Sequence, residues 1–226
     1  MIIYGKQLFL HLLEKHPDKL LSIYLAKEVE KDIFNKVVKT GLKIQKVDNK
    51  KAQGLARGGN HQGFLAEVKD YEFSSFDEIK KLDKVVVLYG LSDVGNIGGI
   101  VRSAYALGAN GVIVVAKSVG IEGVIRASSG AAYELPICVM NDGLSLLNEL
   151  KQTHFEIYAA DANGKSPKDV KFGSKVALVM GSEGEGIPKK ALMKCDESLS
   201  IKMRDGWDSL NVSVAFGILF DRIINE

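Results

Sequence analysis

The chain has 226 residues, 46% of them hydrophobic and 26% charged, with a formal net charge of +2. That composition is ordinary for a globular protein and excludes disordered and collagen-like classes. No apolar run approaches the roughly 18 residues that span a bilayer, and the opening "MIIYGKQLFLHLLEKH" lacks the basic region, apolar core and cleavage site of a secretory leader.

A cytoplasmic protein without membrane contact is therefore expected. The two cysteines, Cys138 and Cys195, are far apart and form no CxxC, so reduced thiols are the simplest reading. Four histidines (His11, His16, His61 and His154) show no ligand spacing, and no metal site is expected.

Residues 1–70 read as a small α/β unit. A helix over about 5–15 precedes a strand "LLSIYL", a helix over 28–40, and strands "KIQKV" and "QGFLAEV". Charge is concentrated here. From Lys36 to Asn60, Lys36, Lys39, Lys43, Lys46, Lys50, Lys51 and Arg57 stand against a single acid, Asp48. This pattern fits a solvated helix face, and it also fits a phosphate-contacting patch beside a flexible "ARGGNHQG". The polar stretch "KDYEFSSFDEIKKLD" then reads as a linker with room for a short helix. The boundaries are 1–70, a linker over 71–83, and a second domain over 84–226.

The second domain repeats strand, Gly-rich turn and helix. "KVVVLYG", "GVIVVA", "FEIYAAD" and "KVALVMG" are continuous apolar runs of the kind buried on both faces of a parallel sheet. "NIGGIVRSAYALGA" carries small and apolar residues at helical spacing. Strands alternating with helices predict a parallel, doubly wound sheet, and ligands bind such sheets outside the carboxyl ends of the strands. Three loops fall there: "SDVGNIGGIVR", "GSEGEGIP" and "RDGWDSLN". The last opens an apolar C-terminal helix with Ser209, Asn211 and Ser213 at alternate positions. Ser209 suits a helix cap, whereas Asn211 inside a helix competes with the backbone for hydrogen bonds.

Familiar nucleotide chemistries do not fit these loops. "GSEGEGIP" has Ile187 and Pro188 where a phosphate loop needs Lys and Ser or Thr. "VGNIGG" has Ile97 in place of the second glycine of a dinucleotide fingerprint, so a nucleotide-dependent oxidoreductase fails. No GxSxG nucleophile elbow occurs. Each loop taken alone reads as a tight turn.

Taken together, "LYGLSDVGNIGGIVRSAYALGANGVIV", "ALVMGSEGEGIP" and "LSIKMRDGWDSLNVSVAFG" resemble the three motifs of the SpoU/TrmH branch of the SPOUT RNA methyltransferases, in the family's order. The segments "IYGKQLFLHLLEKHPDKLLSIYLAKE" and "GNHQGFLAEVKDY" are similar to the family's amino-terminal substrate-binding domain. The pairing looks most like the bacterial 23S rRNA guanosine-2′-O-methyltransferases. The resemblance implies an α/β fold: a small N-terminal substrate-binding domain and a C-terminal SPOUT-type parallel sheet with a deep trefoil knot. It also implies S-adenosylmethionine as cofactor, RNA as substrate (rRNA first, tRNA as the alternative), and a homodimer with active sites near the subunit interface.

Residue roles carry over by matching positions. Arg102 matches the motif-one arginine and Asn96 the motif-one asparagine. Glu183 matches the motif-two glutamate. Ser209 and Asn211 match the motif-three serine and asparagine, whose side chains line the pocket. Gly181 matches the glycine whose backbone meets the cofactor, Ile201 and Leu210 match positions binding adenosine through main-chain groups, and Ala160 is a further cofactor candidate. Plainer roles stand beside these. Arg102 suits a surface ion pair, Asn96 a turn or cap, and Glu183 a cap on a helix near 187–194. Ser213 suits packing within the knot.

An arginine stays protonated, so its expected role is clamping phosphate and stabilising a developing alkoxide. The sequence departs from the family at Val94, where proline is common, and in "RDGWD", which is bulkier than usual. Trp207 suits stacking on a nucleobase or filling a dimer interface. A non-catalytic RNA-binding protein of the same fold is the remaining alternative, and the intact set of five motif residues argues against it.

Overall fold

The computed structural model describes residues 1–205 and 209–225. The chain opens with β1 (Ile2–Tyr4), α1 (Lys6–Lys15), β2 (Leu20–Leu25), α2 (Lys31–Lys39), β3 (Lys43–Lys46), α3 (Asn49–Leu55) and β4 (Phe64–Val68). The strands form a mixed sheet in the order β1-β4-β2-β3, in which only the β2–β3 pair is parallel. In α1, Leu8, Phe9, Leu12 and Leu13 recur at helical spacing and bury one face against this sheet. Neither β1 nor α3 is legible in sequence. A three-residue strand is too short to show a period, and α3 buries only Ala52.

The segment "ARGGNHQG" is tied down rather than free. Gly58 N–H bonds the Gln53 carbonyl, Gly63 N–H donates to Nδ1 of the buried His61, and a Cβ at Gly59 would lie 2.2 Å from the Tyr4 hydroxyl. The turn's backbone groups find partners within the domain.

The linker is docked as well. Its short helix α4 (Phe76–Ile79) begins with a capping box between Ser75 and Glu78. The Tyr71 hydroxyl donates to the Ala132 carbonyl at 2.8 Å, and Ile79 is fully buried in the second domain. One contiguous apolar cluster runs from Leu8 and Phe9 of α1 to Val86, Ile100 and Ala131. Burial against a common core therefore holds the two halves together.

The second half contains β5 (Lys84–Tyr89), α5 (Val94–Ala106), β6 (Gly111–Val115), α6 (Ile121–Ala127), β7 (Ile137–Met140), α7 (Gly143–Gln152), β8 (Glu156–Lys165), β9 (Val176–Gly181), α8 (Lys189–Leu192), β10 (Glu197–Leu199) and α9 (Val212–Asn225). Its six strands are all parallel, in the order β10-β8-β9-β5-β6-β7. Val85 to Leu88 and Ala177 to Val179 are fully buried, as expected for strands covered on both faces. After β7 the chain returns to the far side of β5, and β9 fills the gap between β8 and β5. This reversal of strand order is where a parallel sheet opens a crevice.

The glycines of "GNIGG" serve helix packing. A Cβ at Gly98 would lie 2.3 Å from the Ala127 Cβ on α6, and one at Gly99 would lie 3.3 Å from the Ser213 Cβ on α9. Both cysteines are free, and burial is the main cause that pushes the Cys195 thiol up to about 11. No helix among the described residues is long and apolar enough to cross a membrane.

Candidate active site

The cavity forms where two neighbouring strands part. β8 pairs with β9 as far as Ala159, opposite Val179. Its pairing with β10 then jumps from Ala159–Ser198 to Lys165–Leu199, so residues 160–164 bulge out of the ladder. An Asx turn from Asp161 to the Asn163 N–H shapes the bulge. At Gly164 a Cβ would sit 2.5 Å from the Ser198 backbone, so only glycine lets the bulge close. The resulting cavity has a volume of about 750 Å³, within the usual range for small-ligand sites. Its walls are the ends of β8 and β9, the loops over 182–186 and 199–203, and the approach to α9.

A polar network closes one rim. Asp93 caps α5 by accepting the Asn96 backbone N–H at 2.7 Å, which fixes Asn96 in the first helical turn. The Asn96 Nδ2 donates to Glu183 Oε1 at 3.2 Å. The Asn211 Nδ2 donates both to Glu183 Oε1 at 3.0 Å and to Asn96 Oδ1 at 2.8 Å. The Val212 N–H, at the start of α9, approaches the same Glu183 oxygen at 3.4 Å. One carboxylate oxygen thus gathers three N–H groups from two helices, at the amino end of a 14-residue helix where negative charge is favoured.

The geometry corrects the expected beginning of the last helix. α9 starts at Val212, so Ser209 precedes it and Asn211 is the cap: its carbonyl accepts the Ala215 N–H, and its Oδ1 accepts the Ser213 N–H at 3.0 Å. Asn211 is a competent helix starter and does not compete inside the helix. The Ser213 hydroxyl donates to Asn211 Oδ1 at 2.5 Å, in addition to packing near Gly99. Glu183 caps α9 rather than α8, whose cap position is Pro188.

Ala160, Gly181, Glu183, Ile201, Ser209, Leu210 and Asn211 all line the cavity. Asn96 reaches its rim through Glu183 and Asn211. Ala160 does not end its strand, since β8 continues to Lys165; it stands at the first residue of the bulge. Gly181 lines the cavity, and the chain's own packing also requires glycine there. A Cβ there would lie 2.3 Å from the Gly186 carbonyl carbon and 2.5 Å from the Ile187 nitrogen. The chain's own loop fills that space.

Arg102 is not brought into this cavity. It lies exposed on α5, two turns beyond Asn96, and makes no hydrogen bond or ion pair with the described residues. Trp207 lies outside the described residues. Sequence reasoning missed Asp93 as the cap that sets Asn96, the 160–164 bulge, and the cavity-facing Ala215 and Leu219. The spacing of Asp93 and Asn96 was a usable cap signal, whereas the bulge has none.

Comparison with known proteins adds a family to this geometry. The SpoU rRNA Methylase family profile matches residues 83–221, and the profile described as RNA 2′-O ribose methyltransferase substrate binding matches residues 2–74. The chain is 31% identical to the 23S rRNA (guanosine-2′-O-)-methyltransferase RlmB of Haemophilus influenzae, over 99% of this chain and 97% of that protein. It is 30% identical to the putative TrmH family tRNA/rRNA methyltransferase YacO of Bacillus subtilis, over 99% and 95%. Among solved structures it superposes on the SpoU methyltransferase AviRb of Streptomyces viridochromogenes, crystallised with S-adenosylmethionine. The TM-score is 0.82 at 20% identity, covering 99% of this chain and 89% of that one.

Proposed function

The chain belongs to the SpoU rRNA methylase family and is an S-adenosylmethionine-dependent RNA 2′-O-methyltransferase; we propose that its target is a guanosine ribose of 23S rRNA. The observation that carries the site assignment is the cavity of about 750 Å³ with the Asn96–Glu183–Asn211 network on its rim. Apolar Ile201, Leu210 and Leu219 beside backbone-rich strand ends suit a nucleoside joined to an amino acid. When bound, S-adenosylmethionine supplies a methyl group activated on a sulfonium, whose leaving thioether needs no acid.

The difficulty lies with the nucleophile, because a sugar hydroxyl holds its proton at neutral pH. This chain's residues must orient that hydroxyl, assist loss of its proton and hold the adjacent phosphate. Asn211 is fixed by Glu183 and Asn96, so its amide is preorganised at the rim, and Ser209 stands beside it on the lining. Arg102 is assigned to the phosphate and the developing alkoxide.

Its position outside the cavity supports a homodimer as the active form. Tyr105 on α5, the helix that carries Arg102, and Val214 and Ile218 on α9, which packs against α5, are exposed apolar residues. A second copy on this face would bring an arginine toward the site from outside and cover the apolar residues. The family's trefoil knot is assigned to the segment that leaves β10, passes the cavity and enters α9. The basic residues of α2, β3 and α3 are assigned to RNA phosphates. Lys46, Lys50 and Lys51 are exposed, whereas Lys36 pairs with Glu14 at 2.5 Å and Arg57 with Glu122 at 3.7 Å. A cytoplasmic location follows from the substrate.

Mapping 2′-O-methyl positions in total RNA from a deletion strain and its parent tests the target. Loss of one 23S guanosine methylation is expected. Loss at a tRNA position instead would transfer the assignment to tRNA, in line with the Bacillus subtilis relative's name. An unchanged methylation map would refute the activity.

A further inference from the structure

Sequence spacing gives no reason to group the histidines, yet the fold brings two of them together at the domain junction. α1 ends at Lys15, and His16 leaves helical geometry with φ −135° and ψ 50°. That turn places its ring centroid 5.8 Å from the His11 ring. Glu134 arrives from the second domain on a short turn whose Gly130 has φ +95°. A Cβ at Gly130 would lie 2.6 Å from His11 Cδ2, so the approach needs glycine on both counts. The His16 Nε2 then lies 2.7 Å, and the His11 Nε2 2.8 Å, from the same Glu134 oxygen.

We propose that His11, His16 and Glu134 form a binding site for one divalent transition-metal ion of the zinc class, joining the two domains. The three donor atoms all lie within 4.8 Å of one another. The observed 2.7 and 2.8 Å spacings fall about half an ångström short of the roughly 3.3 Å edge of a tetrahedron built on ~2.0 Å bonds, so an ion would part the donors slightly. Two imidazole nitrogens and one carboxylate oxygen suit zinc and its neighbours, whereas magnesium and calcium prefer all-oxygen sets.

A second observation points to the same place. Among the described residues, only the His11 Nε2 and the Tyr133 hydroxyl are buried side-chain polar atoms without a hydrogen-bond partner. Buried polar atoms are nearly always satisfied, and an exception calls for an unseen ion or water. The nearest partner of His11 Nε2 is the Glu134 oxygen at 2.8 Å, which also takes His16 Nε2 at 2.7 Å. Burial opposes the charge of the Glu134 carboxyl, but the two histidines beside it hold it below the usual carboxylate range. The Tyr133 ring packs 5.6 Å from the His16 ring. A cavity of about 350 Å³ adjoins His16, Tyr133 and Glu134 and is also bordered by Lys19, Asp70 and Glu72. It leaves room for water as a fourth ligand, the arrangement common when protein supplies three.

The test uses the full-length chain without a histidine tag, stripped of metal by a chelator. Calorimetric titration with Zn(II) should give one equivalent per chain, and Co(II) should give the absorption of a four-coordinate site. Zn(II) should also raise the thermal midpoint, because an ion that binds only the folded chain stabilises it. His16→Gln and Glu134→Gln should each weaken binding at least ~100-fold, beyond the usual loss from removing a group behind a ligand. His154→Gln should bind like the parent. Near-UV circular dichroism in chelator checks that each variant folds. If neither does, the His11 and His16 ring resonances of the parent should shift on adding Zn(II). Absence of saturable binding, binding that survives both substitutions, or unshifted rings would overturn the proposal and leave an interdomain ion-pair contact only.

Discussion

In the N-terminal sheet the candidate functional groups are side chains held apart from one another. Lys46, Lys50 and Lys51 stand exposed around β3 and α3, and their contribution would add residue by residue. In the C-terminal sheet the candidates converge. Residues from α5, the β9 loop and the start of α9 meet on one carboxylate, beside a cavity built largely from backbone. Changes in the first region should therefore act on affinity in a graded, salt-dependent way. Changes in the second should act steeply, because shared geometry makes their effects interdependent.

The steepest effect is expected at Arg102. Arg102→Ala should slow methyl transfer by at least ~10²–10³-fold, the scale of removing one donor from a developing oxyanion. Cofactor affinity should be unchanged. Arg102→Lys should restore little, since an ammonium lacks the planar two-pronged contact. Single-turnover assays at saturating cofactor and RNA isolate the step, and a parent-like rate would place Arg102 among ordinary surface residues.

Replacing Lys46, Lys50 and Lys51 together with Ala tests the graded region. The slope of log affinity against log salt should flatten by roughly 0.7–0.9 per lost phosphate contact. Cofactor binding should not move. An unchanged slope, read by filter binding over a salt series, would return these lysines to a merely solvated face.

Gly181→Val probes the backbone-built wall. The new side chain would collide with Gly186 and Ile187, displacing the loop that carries Glu183. A stability loss of about 1–3 kcal/mol is expected, as for other overpacked sites, together with weaker cofactor binding. Urea denaturation and calorimetry separate the two. Loss of binding at full stability would mean that the side chain excludes the ligand directly.

Within the convergent site, a milder effect than at Arg102 is expected from Asn211→Ala. It removes a helix cap costing about 1 kcal/mol and one anchored amide of the rim. The rate should fall less than with Arg102→Ala, because a neutral orienting group is lost rather than a charge. A larger fall than at Arg102 would reverse their proposed roles.

The legible parts of the molecule are those governed by short-range pattern. The buried strands over 84–89, 111–115 and 176–181 announce themselves by uninterrupted β-branched runs. The helix over 94–106 shows its period, and the motif loops fall at strand ends where a parallel sheet binds ligands. Gly181 is legible as obligatory, but its contact with Gly186 is one that spacing does not reveal.

What the sequence determined by itself is thus local: the strand–helix alternation, the family motifs and the chemical types available to the site. Tertiary structure alone decided which of these groups meet. Asn96 reaches Glu183 across 87 positions, Asn211 reaches Asn96 across 115, and His16 reaches Glu134 across 118. Hydrophobic periodicity records how each segment faces the core. It carries no record of which polar ends the packed core brings side by side, because those distances are set jointly by every layer between them.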